Sequence, residues 1–170
     1  EGVKAALQAD CHFNNGDFTS PPAAGLKAFA RVYAGWAFSQ GFYRERLHRE
    51  LGFETFEDLL IDWEHDHLQW NANDLLAQLW TWQQADISAN AEYRGDFEMA
   101  LQAIRARAIL IPCTTDLYFP AQDNAFEARH MPNAQLRPYE SLWGHCVATP
   151  GRDPAFMAFL NECALELLRA

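Results

Sequence analysis

A carboxylate at the end of one apolar strand and a histidine past the end of the next can do acid–base chemistry, and Asp116 and His145 stand in that order here. An imidazole takes a proton from a hydroxyl nucleophile and returns it to a leaving group. A carboxylate on its other ring nitrogen fixes the tautomer and stabilises the charged ring. The two would be the acid and base of a Ser-His-Asp triad. On spacing alone, Asp116 reads equally as a strand-end turn residue and His145 as an ordinary loop histidine.

The elements around the pair favour the first reading. Ala108-Ile109-Leu110-Ile111 is a short apolar run of the kind buried on both faces of a parallel sheet, and it stops at Cys113-Thr114-Thr115-Asp116. A helical stretch around Asp123 to His130 follows, Pro132-Asn133 breaks it, and Ala134 to Tyr139 returns in extended form towards Trp143-Gly144-His145. A strand, helix, strand crossover sets its strands parallel. Both side chains then emerge at the carboxyl-terminal edge of the sheet, where α/β folds keep their chemistry.

A nucleophile is harder to place. Of Ser20, Ser39, Ser88 and Ser141, only Ser39 has elbow-like neighbours, in Ala37-Phe38-Ser39-Gln40-Gly41, a degenerate form of G-x-S-x-G. That motif works by ending a strand in a sharp turn, and Ser39 sits instead at the end of a helical pattern. Cys146 adjoins His145, but neighbouring residues rarely aim their side chains at each other, so a buried spectator thiol is the better reading. In Glu64-His65-Asp66-His67, residues two apart on a helix face different ways and no third ligand is spaced to join them. Solvated charges are expected there and no metal. His12, His48 and His130 show no pattern.

Composition bounds the partners. In 170 residues, 13 basic against 23 acidic side chains give a formal charge of −10, which repels nucleic acid and anionic membrane. No apolar run approaches a membrane span and the amino terminus has no signal-peptide pattern. Cys11, Cys113, Cys146 and Cys163 lack C-x-x-C spacing, so reduced thiols and a cytoplasmic location are expected. An aromatic share of 14%, with six tryptophans, points to helices with apolar faces turned to a pocket or a partner.

The remaining elements are helical. Glu1 to Asp10 reads as the end of a core helix, Cys11 to Pro22 as a loop, and Gly25 to Gln40 as an amphipathic helix. Thr55 with Asp58 is a weak capping-box signal before a helix striped by Phe56, Leu59, Leu60, Trp63 and His67, and another helix runs from about Ala72 to Gln84. Asp96 caps a short helix, and Asp153 with Pro154 starts a terminal one. Two strands cannot bury both faces of a sheet, so the chain reads as the back half of a larger one.

Several segments resemble one family in order. Arg107 to Pro112, Thr115-Asp116-Leu117-Tyr118-Phe119-Pro120, Met131-Pro132-Asn133-Ala134 and Gly144-His145 are similar to the carboxyl-terminal part of the homoserine O-acetyltransferase branch of the α/β-hydrolase superfamily. Gln8-Ala9-Asp10, Gly16-Asp17-Phe18, Pro21-Pro22, Gly25-Leu26, Ala30-Arg31 and Trp70-Asn71-Ala72-Asn73 with Asp86 extend the likeness over nearly the whole chain. The resemblance implies an α/β fold in its carboxyl-terminal half: residues 1–10 ending a core helix, 11–95 a helical lid, and 96–170 the last parallel strands and terminal helix. It also implies a nucleophilic serine before the region matched, on an accompanying stretch or a separate chain, and a homodimer.

The same resemblance assigns substrate contacts. The matching arginine, Arg31, would hold a substrate carboxylate by two parallel hydrogen bonds, a surface ion pair being the other reading. Phe38 stands where the family has a substrate-contacting tyrosine, and Cys146 where it has an aspartate that meets the substrate ammonium. Both departures count against homoserine, because an ammonium desolvated without a counter-charge binds poorly. The expectation is an acyl-serine enzyme with catalytic Asp116 and His145 and with Arg31, Phe38 and Cys146 at the substrate. It would take a small acyl donor and acceptor, with acyl-CoA as co-substrate for a transferase and no bound cofactor. An esterase, or a non-catalytic remnant acting in assembly, are the alternatives.

Overall fold

The computed structural model describes residues 1–149 and 152–169. In chain order the elements are α1 (Gly2–Gln8), β1 (Phe13–Asn14), β2 (Asp17–Phe18), α2 (Ala23–Ala37), α3 (Gln40–Arg44) and a 3-10 turn at Leu47–Arg49. Then come α4 (Phe56–His67), α5 (Ala72–Gln84), α6 (Phe97–Gln102), β3 (Ala108–Leu110), α7 (Ala121–His130), β4 (Ala134–Leu136), a second 3-10 turn at Gly144–Ala148, and α8 (Pro154–Leu168). Contacts divide the chain into two compact units, Glu1–Trp36 with Arg46–Ala85, and Ala37–Glu45 with Asp86–Ala170.

Besides α3, four of the helices begin where a side chain accepts amide hydrogens that the first turn leaves free. Thr55 and Asp58 bond reciprocally as a capping box on α4, and Asn71 accepts from Asn73 and Asp74 on α5. Asp96 accepts from Met99 on α6, and Asp153 from Phe156 on α8, with Pro154 in its first turn. These starts match those read from the sequence.

Two expectations about the elements of the first 40 residues differ. The loop from Cys11 to Pro22 contains an antiparallel hairpin with Phe13 opposite Phe18 and their rings 5.2 Å apart. Asn15 and Gly16, at φ 50° and 104°, make its turn, because Asn-Gly tolerates the left-handed backbone whose twist suits paired strands. The helix read as Gly25 to Gln40 stops at Ala37, and Ser39 caps the short α3 with its hydroxyl on the amide of Phe42.

In the first unit Leu7, Leu26, Phe29, Ala72 and Leu75 form a buried cluster, flanked by Val3, Phe18, Tyr33, Leu68, Leu76 and Leu79. Asp10 ties the hairpin to α2, accepting from Gly25 N at 2.7 Å and His12 N at 2.9 Å. Gly25 permits that approach, since a Cβ there would stand 2.7 Å from the carbonyl of Leu7. Glu64, read as a solvated charge, is buried, and so is His67 on the apolar stripe of α4. Glu64 meets Arg31 and Lys27, and His67 donates to the Trp63 carbonyl at 2.7 Å. A side chain inside a helix packing stays there when its polar atoms find partners.

In the second unit β3 and β4 run parallel, pairing Ala108 with Ala134 and Leu110 with Leu136, with α7 as the crossover. The ladder outlasts the strands: Arg137 N donates to Leu110 O, Tyr139 N to Pro112 O and Thr114 N to Tyr139 O. The residues of β3 are half-buried rather than buried on both faces, since a sheet of two strands leaves an edge and much of its faces open. Tyr139 packs against Phe156 and Phe159 of α8, with ring centroids 4.9 and 5.6 Å away.

Candidate active site

The end of β3 turns sharply so that Asp116 faces back over its own backbone. Its Oδ1 accepts from the amides of Tyr118 at 2.7 Å and Phe119 at 3.1 Å, the local bonding that makes Asp a turn residue. Its Oδ2 accepts from Nδ1 of His145 at 3.0 Å. Burial pushes this carboxyl up, but the bonds from His145, Phe119 and Tyr118 together outweigh it and hold the group below its ordinary range. Asp116 thus stays an anion against the imidazole.

His145 arrives on the loop after β4. Its side chain is 26% exposed against 10% for Asp116. The ring lies edge-on to Tyr118 at 5.3 Å and tilted to Phe119 at 5.4 Å. With Nδ1 donating to the carboxylate, the tautomer leaves Nε2 as an acceptor, and among the described residues Nε2 has no hydrogen-bond partner.

The histidine loop is fastened at four points. Gly144 adopts φ +61° directly against the backbone of Ala37 to Ser39. Trp143 is buried on Phe42, with ring centroids 5.3 Å apart. The hydroxyls of Ser39 and Thr115 donate to the carbonyls of Leu142 and Ser141 at 2.5 and 2.6 Å. In the sequence Gly144 reads only as part of a motif, and nothing there assigns the Thr115 hydroxyl a partner. The two-threonine run before Asp116 was the available signal.

Ser39, 2% exposed, is a cap and a loop anchor, consistent with its lack of strand context. Ser141 is 3.4 Å from Asp153, and Ser88 donates to Asp86 at 2.6 Å. Cys146 is buried beside His145, and burial pushes its thiol up to about 11. Phe38 is fully buried, stacked on Phe42 at 4.2 Å. Its ring therefore reaches no surface of this chain, which departs from the substrate contact implied by the resemblance. An aromatic side chain without a hydroxyl gains more from the apolar interior.

Arg31 lies in the first unit. Its guanidinium bonds Glu64 through Nε and Glu57 through both terminal nitrogens, at 3.2 and 2.6 Å. The donors that would grip a substrate carboxylate hold two glutamates. Asp10, Cys11 and His12 bring three ligand-type atoms within 4.8 Å, yet both oxygens of Asp10 already accept, from Gly25 and from His12. Among the described residues no helix is long and apolar enough to cross a membrane.

No family model matches the chain. It is 32% identical over 146 residues to a probable esterase of Corynebacterium glutamicum, covering 84% of this chain and 41% of that protein. It is 30% identical over 167 residues to an ethyl acetate hydrolase of Pseudomonas veronii, covering 96% and 47%. A homoserine O-acetyltransferase of Chloroherpeton thalassium is also 30% identical, over 98% of this chain and 46% of its own. The crystal structure of an acetylester hydrolase from Corynebacterium glutamicum matches with a TM-score of 0.92 at 28% identity, over 99% of this chain and 48% of that one. The chain spans about half the length of the curated relatives it matches.

Proposed function

From a chain that has the fold of the carboxyl-terminal half of an α/β-hydrolase and is related to esterases and homoserine O-acetyltransferases, we propose the acid and base of an ester hydrolase. The observation that carries this reading is the 3.0 Å bond between His145 Nδ1 and Asp116 Oδ2. His145 Nε2 removes the proton from a serine hydroxyl supplied by residues outside this chain, and the serine attacks the ester carbonyl. The imidazolium, steadied by Asp116, then protonates the departing alcohol. A water activated by the same nitrogen releases the acid.

Hydrolysis is favoured over transfer to homoserine by the polar groups within the chain. The position after the histidine holds a buried, neutral thiol, and the Arg31 guanidinium is held by Glu57 and Glu64. An amino acid acceptor needs a partner for each of its charges. The substrate class proposed is a small uncharged acyl ester, in keeping with a relative named ethyl acetate hydrolase. The likeness to a homoserine O-acetyltransferase favours the second reading, acetyl transfer from acetyl-CoA.

The test uses the intact protein that carries this chain. Fluorophosphonate labelling, turnover of p-nitrophenyl acetate and of ethyl acetate, and acetyl transfer from acetyl-CoA to homoserine are measured side by side. Ester turnover lost in His145→Ala supports the hydrolase. Transfer without ester hydrolysis overturns it in favour of the second reading, and absence of labelling overturns both.

A further inference from the structure

Resting on the reading of Asp116 and His145 as acid and base, we propose that Thr115 is a positioning residue for the histidine. Its hydroxyl ties the acid-bearing turn to the histidine-bearing loop, and so sets the separation of the pair.

The two segments part company at the end of the sheet. Their last backbone bond is Thr114 N to Tyr139 O at 3.0 Å. From Glu140 to His145 no backbone hydrogen bond links the loop to the turn among the described residues. Across that gap the Thr115 hydroxyl donates to the Ser141 carbonyl at 2.6 Å, and the Cys113 thiol makes a long contact of 3.6 Å to the same oxygen. Ser39 holds the neighbouring carbonyl of Leu142. Without Thr115 the bond from His145 to Asp116 and the long thiol contact of Cys113 would be the ties across the gap, and one part-buried hydrogen bond is a weak hinge for a loop.

A β-branched residue suits the task. Its χ1 has few choices, so the hydroxyl is held in direction as well as in reach. Proton transfer is sensitive to that precision, since a misplacement of about 1 Å can cost on the order of 100-fold in rate. Thr115 touches neither the reacting atoms nor the imidazole in this geometry. It acts through the backbone four residues before His145.

Thr115→Val keeps the shape and removes the donor, whereas Thr115→Ser keeps the donor. In the intact protein, ester hydrolysis by Thr115→Val should fall about 10- to 100-fold in kcat with KM within about twofold, and Thr115→Ser should recover to within about threefold of the parent. Should Thr115→Val fail to fold, Thr115→Ala is measured in its place. A second readout is the low-field proton resonance of His145 Nδ1, assigned by its absence in His145→Ala. It should be sharp in the parent and in Thr115→Ser, and broadened or lost where the hydroxyl is missing. Parent-level kcat and an unchanged resonance in the variant without a hydroxyl overturn the proposal, as does equal damage in Thr115→Ser. Full ester turnover by His145→Ala would instead sink the acid–base reading, while the resonance would still report what Thr115 does.

Discussion

A Cβ built on Gly144 would stand 2.8 Å from the backbone nitrogen of Ser39 and 3.0 Å from the carbonyl of Ala37. Both atoms belong to the backbone and cannot swing aside, and φ of +61° adds its own strain for any side chain. Gly144→Ala should therefore lower stability by roughly 1–3 kcal/mol and shift the residue that follows, His145. A urea titration and the rate of p-nitrophenyl acetate hydrolysis check both effects, and a tenfold or greater loss of kcat is expected. Parent-like values in both would mean the loop is free to move away.

Asp116 folds with its carboxyl held below the ordinary value of 3.8. A lowered folded pKa contributes stability that is fully present above the unfolded value and is lost as pH falls through the folded one. The urea midpoint of the parent should thus exceed that of Asp116→Asn at neutral pH, with the gap closing once pH drops below about 4. The same substitution should cut kcat on the order of 10⁴-fold, because the amide favours the wrong imidazole tautomer. A pH-independent gap would show that the carboxylate charge is not what the fold uses.

Cys146, with its thiol raised to about 11 by burial, is almost wholly protonated at pH 8. The thiolate is the reactive form. Iodoacetamide at that pH should modify the exposed Cys11 and leave Cys146 intact in the folded protein, as peptide mass spectrometry will show. Rapid alkylation of Cys146 with loss of activity would return it to the candidate nucleophiles.

Arg31 bonds Glu57 and Glu64, and Glu64, whose side chain is only 10% exposed, would be left with Lys27 alone at 3.4 Å if the arginine were removed. Arg31→Gln should lower the urea midpoint of the intact protein, with the loss smaller in high salt. KM should change by no more than about twofold, and equally, for neutral and carboxylate-bearing esters. A selective rise in KM for the carboxylate substrates would restore the clamp that the family resemblance implies.

Three helix starts are legible because capping is local: Thr55, Asp96 and Asp153 each satisfy amides within a few residues, whereas the cap by Asn71 emerges only in the structure. The Asn15-Gly16 hairpin is equally local, but strands of two residues leave no alternating pattern, so the segment reads as a loop. Arg31 and Phe38 were less readable. Whether a guanidinium faces a ligand or two glutamates, and whether an aromatic ring lines a pocket or stacks in a core, depends on which other helices reach it.

The order of elements, the candidate pair Asp116 and His145, and the crossover that brings strand ends to one edge can be read along the chain, because periodicity, caps and the handedness of parallel connections are short-range rules. That His145 meets Asp116 at 3.0 Å, that Gly144 lies against Ser39 and that Thr115 grips the Ser141 carbonyl emerges only once the chain is folded. Those are contacts between segments far apart in the chain. Their distances follow from how the loops pack, a property that no residue carries alone.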